Sequence, residues 1–222
     1  MSISANLDTV KSLLPEGVKL VAVSKFHPKE ALEEAYAAGQ RIFGESRVQE
    51  LDNKQEALPT DIEWHLIGHL QTNKIKTVVP YIHTIQSVDS WKVLSEIDKY
   101  ASKVNRKINC LLEIYIAKED SKYGFTFEEC RYLLENENWR ELNNIQITGV
   151  MGMATNTDDE SQIRQEFKSL KTFFDELKQT YFKDNSCFSE ISMGMSHDYK
   201  IAIEEGSTII RVGTSIFGER EY

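Results

Sequence analysis

The chain has 222 residues, of which 41% are hydrophobic and 27% charged, a globular balance with enough length to bury a sizeable core as one domain. Its 35 acidic against 26 basic residues leave a net charge of −9, which argues against a general nucleic-acid binder, since such proteins carry a basic footprint. No apolar run reaches the roughly 20 residues that span a bilayer, and the opening MSISANLDTVKSLLP lacks the basic and apolar regions of a secretion signal, so a cytoplasmic protein with no membrane partner is expected.

A helix is expected first, over residues 4–14. Residues 18–24 (VKLVAVS) then read as a buried strand: short, apolar and β-branched. Lys25 stands at its end, just ahead of Pro28. It is either a solvated strand end or a chemical group held over a sheet. Residues 28–39 (PKEALEEAYAAG) form a helix opened by proline and closed by glycine. A second strand, residues 41–44, precedes a helix over 47–57, and IEWHLIG (residues 62–68) is the third strand. A short helix over 72–79, a fourth strand over 82–88 (IHTIQSV) and a helix over 90–102 complete the first half.

The second half repeats the alternation. INCLLEIYI (residues 108–116) is the fifth strand, followed by a helix over 126–136, and IQITGVM (residues 145–151) is the sixth. The longest helix covers residues 160–181. Its Ile163, Phe167, Leu170, Phe173, Phe174, Leu177 and Tyr181 recur at helical spacing, a stripe that predicts core packing. The acidic run TNTDDE before it suits a helix N-terminus. A seventh strand over 188–193, a helix over 198–205 and an eighth strand over 208–212 (TIIRV) follow.

Eight strands alternating with helices predict a (β/α)8 TIM barrel, a single domain over residues 1–222 with an extra N-terminal helix placed to cap the barrel floor. An open doubly wound sheet is the alternative, disfavoured by the missing GxGxxG turn after the first strand. The three cysteines, Cys110, Cys130 and Cys187, form neither a CxxC pair nor a zinc spacing, and Cys110 is expected as a reduced core thiol. His65 and His69 are four apart on a strand and turn rather than on a helix, so no metal site is expected.

Barrels place their functional groups at the C-terminal ends of the strands. Here these include Lys25, Gly68-His69, Met151-Gly152-Met153, the SMGMSHD segment (residues 192–198) and Arg211-Val212-Gly213-Thr214. Turns after strands seven and eight are where barrels build phosphate sites from backbone N–H groups. Both turns here carry glycine and hydroxyls, among them Ser192, Ser196 and Thr214. A lysine across the mouth from a phosphate neutralises it, or bonds an aldehyde when desolvation lowers its pKa. Pyridoxal 5′-phosphate (PLP) meets both demands.

Eight motifs spread from end to end carry a resemblance: AVSKFHP (22–28), FGESRVQE (43–50), WHLIGHLQTNK (64–74), HTIQSVD (83–89), SKYGF (121–125), GVMGM (149–153), SMGMSHD (192–198) and RVGTSIFGER (211–220). Together they resemble the pyridoxal phosphate homeostasis protein family, whose fold-type III barrel is similar to the N-terminal barrel of alanine racemase. The resemblance implies that Lys25 forms an aldimine with the cofactor. It implies that Ser196, assisted by Ser192, and the Gly213-Thr214 turn hold the phosphate. Arg211 is implied to face the cofactor near its pyridine nitrogen, Met193 and Met151 to pack beside it, and Lys122 to take part in transfer. The chain departs from the family pattern at Ser46, where asparagine is usual, at Arg47, where an aromatic is common, and at His69, where proline is frequent.

Racemisation needs a second base within reach of the transferred proton. No position announces one, and the last expected strand ends only ten residues before Tyr222, so no further domain is expected to supply it. An arginine at the pyridine nitrogen has only donors and weakens the ring as an electron sink. A non-catalytic monomer is therefore expected, one that binds PLP, serves vitamin B6 and amino-acid balance, and passes the cofactor to apo-enzymes. The alternatives are a small PLP-dependent racemase and a phosphate-metabolite enzyme without an aldimine.

Overall fold

The computed structural model describes residues 2–118 and 123–219. Its elements follow the expected alternation: α1 (Ile3–Ser12), β1 (Lys19–Val23), α2 (Lys29–Ala37), β2 (Ile42–Glu45), α3 (Val48–Ala57), β3 (Glu63–Leu66), α4 (Ile75–Val78), β4 (Thr84–Val88), α5 (Trp91–Lys103), β5 (Ile108–Tyr115), α6 (Phe127–Asn136), β6 (Ile145–Met153), α7 (Glu160–Thr180), β7 (Glu190–Ser192), α8 (Tyr199–Glu204), β8 (Ile209–Val212) and α9 (Thr214–Phe217). The eight strands are parallel and close on themselves, with β1 hydrogen-bonded to both β2 and β8. This is the (β/α)8 barrel.

Side chains alternate between the two faces of each strand. The inward set of Val21, Leu111, Met151 and Ile209 forms a small cluster inside the barrel, and the outward set joins the helices in one large core. Helix α7 shows how the outer layer is built. Its Ile163, Phe167, Leu170, Phe173, Phe174 and Leu177 are all buried, and each such side chain stabilises the fold by about 1.5–3 kcal/mol. Asp159 caps α7 by accepting from the N–H groups of Ser161 and Gln162. Cys110 is a buried free thiol in β5, shifted up by burial.

Two expectations are corrected. Helix α1 does not lie under the floor. It packs beside α2 and α9, with Leu7 and Val10 in the outer core and Asn6 Nδ2 donating to the Ile216 carbonyl at 3.0 Å. Helix α9 has only four residues, too short to cover β8 and β1, and α1 fills the place of the eighth outer helix. Strand β7 is shorter than expected, since Phe188 leaves the ladder to stack on Phe182 at 4.0 Å.

Candidate functional site

Lys25 lies in the turn after β1, partly buried. Its neighbour Phe26 has φ +68, a left-handed conformation that is strained for a bulky side chain. Something must hold it there, and helix α3 does. Glu50 Oε1 accepts from the Phe26 N–H at 2.6 Å. Lys54, one helical turn on, is buried and donates to Ser24 O at 2.8 Å and to Glu45 Oε1 and Glu50 Oε1 at 2.7 Å. Ser24 Oγ donates to the same Glu45 oxygen at 2.6 Å. Burial raises the Glu45 carboxyl to about 6, against the pull of Lys54 and the Ser24 bond. One ammonium thus ties the turn on both sides of Lys25 to two carboxylates.

Arg211 points into the barrel from β8 and is 4% exposed. Nη1 donates to Ser192 Oγ at 2.7 Å and Nη2 to Gly152 O at 3.1 Å. Because arginine only donates, it sets the direction of the bonds beyond it. Ser192 Oγ donates to Gln86 Oε1 at 2.6 Å, and Gln86 Nε2 donates to His65 Nδ1 at 2.8 Å. The chain crosses the barrel from β8 through β7 and β4 to β3. Burial pulls Arg211 down to about 10, opposed by Asp198 and Glu113, so it stays charged at neutral pH. Glu113 is raised to about 7, first by burial and then by Asp89, against the effect of Arg211. Its Oε2 is buried without a partner among the described residues, and it lines a cavity of about 180 Å³ at the mouth together with Tyr123, Met153 and Met195.

Two residues beyond Arg211, Gly213 sits against β1. A Cβ there would stand 3.0 Å from the Val23 carbonyl. Its N–H donates to Ser196 Oγ at 3.2 Å. The turn carrying Ser196 bends through Gly194 at φ +97, where a Cβ would meet that of Ala202 at 2.6 Å. Asp198 Oδ1 closes this turn by accepting from the Met195 N–H. Thr214 is exposed at the start of α9.

The structure therefore brings the Lys25 turn, Ser196, Gly213 and Thr214 to one rim, with Arg211 beneath. It places three residues elsewhere. Ser192 is fully buried below the rim and bonded to Arg211. Met193 belongs to the outer core, and Met151 to the inner cluster. Lys122 lies outside the described residues. The residues at the rim and beneath it fit a cofactor bearing a phosphate and a ring nitrogen: a narrow glycine-lined turn with a hydroxyl, and a desolvated guanidinium.

Sequence reasoning passed over Gln86, Glu113 and Lys54. The signal was present for Glu113, a carboxylate inside the mostly apolar β5, where a buried polar group is the informative observation; Gln86 lies among the polar Thr84 and Ser87 and did not stand out. Lys54 carried none, because a helix lysine is most often solvated.

Comparison with known proteins gives concordant matches. The model of the family described as alanine racemase, N-terminal domain, matches residues 1–221. A pyridoxal phosphate homeostasis protein of Aquifex aeolicus (strain VF5) is 40% identical over 205 residues, covering 92% of this chain and 88% of its own. A Schizosaccharomyces pombe protein of the same name is 33% identical, covering 99% and 93%. The solved structure of PipY from Synechococcus elongatus PCC7942, with PLP bound, is 39% identical with a TM-score of 0.88, covering 97% of this chain and 100% of that one. Alanine racemase of Clostridium difficile 630 aligns with a TM-score of 0.79 at 16% identity, this chain spanning 56% of its length. That likeness bears on the fold alone.

Proposed function

Since the chain belongs to the family of pyridoxal phosphate homeostasis proteins, built on the alanine racemase N-terminal barrel, we propose that it holds pyridoxal 5′-phosphate at the barrel mouth. In this reading it serves the cell's supply of the cofactor and catalyses no reaction of its own. The observation that carries it is the contact of three turns: Gly213 lies against the end of β1, two residues from Lys25, while its N–H meets Ser196.

When bound, the cofactor would supply an aldehyde able to react with an amine. Lys25 is the amine, held in place by the strained turn that Lys54 and Glu50 secure. Ser196 and the Gly213-Thr214 turn hold the phosphate. Arg211 would face the ring nitrogen and, having no acceptor, would leave it unprotonated, so the ring would be a poor electron sink. Ser192 orients Arg211 through its hydroxyl rather than touching the phosphate. Met193 supports the site from the outer core.

The relatives' shared name supports a homeostatic role, and the PLP-bound PipY structure supports the ligand. We place residues 1–222 as one unit, acting as a monomer in the cytoplasm, engaged in amino-acid balance and delivering PLP to apo-enzymes. Among the described residues no helix is long and apolar enough to cross a membrane. The PLP-loaded protein is incubated separately with D- and L-alanine and with an apo-form of a PLP enzyme. The reading predicts no interconversion of the alanines beyond that of free PLP, and recovery of the enzyme's activity. Fast interconversion would replace it with a racemase.

A further inference from the structure

At the opposite end of the barrel, three side chains converge that the cofactor site does not use. Glu63 opens β3, His65 lies two residues on and faces the same way, and His83 immediately precedes β4. One carboxylate oxygen of Glu63 and one ring nitrogen of each histidine lie within 4.8 Å of one another. The imidazole rings stack, 5.7 Å apart and within 6° of parallel. Each Nδ1 is already held by a neutral partner: that of His65 by Gln86 at 2.8 Å and that of His83 by Thr84 Oγ1 at 2.9 Å. The Nε2 atoms are left as the available ring nitrogens. His83 Nε2 stands 3.7 Å from Glu63 Oε2. His65 Nε2 is buried with no hydrogen-bond partner among the described residues, and the residue is 3% exposed.

We propose that Glu63, His65 and His83 form a binding site for a zinc-class divalent cation on the barrel floor. Two imidazoles and one carboxylate with an open fourth position are the donor set zinc takes in open sites, at about 2.0–2.2 Å from each ligand atom. Such distances put the donors about 3.3 Å apart. The half-exposed Glu63 and His83 close that gap by rotamer changes, while buried His65 stays fixed by its outer partner, as metal-bound histidines are. Exposure of the other two gives the ion its entry path. The nearby Lys19 ammonium is paired with Glu190 at 2.6 Å.

Binding needs the His65 Nε2 lone pair, with the ring proton moved to Nδ1. The Gln86 amide then turns its carbonyl toward His65 and its Nε2 toward Ser192 Oγ, which accepts from Arg211 as well and gives up Gln86 Oε1 as the acceptor of its own proton. The floor site thereby reaches Arg211 through the chain that crosses the barrel.

Tag-free, metal-stripped protein is titrated with Zn²⁺ by calorimetry and with Co²⁺ by visible absorbance, alongside the Glu63→Ala/His83→Ala double variant. Both replaced residues are half exposed, so the variant is expected to fold, which far-UV circular dichroism checks. The proposal expects one ion per chain, an intense tetrahedral Co²⁺ band, and a loss of affinity of at least about tenfold in the double variant. No stoichiometric binding to the unaltered protein, or a loss below about tenfold, would overturn it.

Discussion

Replacing Lys54 by methionine tests how the Lys25 turn is held. The ammonium is 8% exposed and bonds three oxygens, those of Ser24, Glu45 and Glu50. Methionine keeps the stem and removes every bond. Glu45, 0% exposed, would keep only the Ser24 hydroxyl as a partner. Breaking a buried pair from one side costs about 3–5 kcal/mol. With a urea slope of about 2–3 kcal/mol per molar, the unfolding midpoint at pH 8 falls by about 1–2.5 M. The pH dependence identifies the cause. Glu45 already sits at about 6, above its ordinary 4.5. A raised carboxyl gives stability that is full below its unfolded pKa and lost as pH rises through the folded one. For Glu45 that loss amounts to about 2 kcal/mol. Without Lys54 the carboxyl is raised further, so the variant's deficit shrinks between pH 8 and pH 5. A midpoint at pH 8 within about 0.3 M of the parent, against the shift expected from the linear slope, or a deficit equal at both pH values, would refute the network's role.

Ser192→Ala removes the partner of Arg211 Nη1 and of Gln86 Oε1 inside the barrel, and is expected to cost about 1–3 kcal/mol in urea unfolding and to weaken PLP binding. Glu113→Gln removes a carboxyl raised to about 7. That group's stability is present below about 4.5 and lost above 7, so the variant should exceed the parent at pH 8 by up to about 3 kcal/mol and match it near pH 4.5. Urea midpoints at the two pH values decide this, and a gain that persists in acid would exclude titration as its source. Gly213→Ala places a Cβ 3.0 Å from the Val23 carbonyl, spreading β8 from β1. PLP binding followed by absorbance should fall about tenfold or more, as misplaced positioning groups typically produce, while inorganic phosphate protects the parent from heat more than the variant.

Much of the fold was legible because barrel strands are short apolar runs punctuated by turn residues, and α7 shows its face at helical spacing. The position of α1 was not, since it depends on how briefly α9 runs after β8. At the site, the glycine and hydroxyl turns after β7 and β8 were readable as a phosphate cradle. The different fates of Ser192 and Ser196 were not, because they depend on where β7 ends: Ser192 is its last residue and stays inside the barrel, while Ser196 lies in the turn beyond it. The Lys54 cluster was hidden for another reason: its members come from β2, α3 and the β1 turn, and only the closed barrel brings them together. His65 and His69 parted as strand and turn, and His65 met Glu63 and His83 instead, a grouping fixed by strand pairing rather than spacing.

The account rests on Lys25 as the residue that holds PLP. The purified protein is incubated with PLP, its visible absorbance recorded, then treated with borohydride, digested and mapped by mass spectrometry. The account predicts a yellow protein that bleaches on reduction, with the pyridoxyl group on Lys25. A protein that stays colourless and unmodified in excess PLP, or one labelled mainly at other lysines, would contradict it.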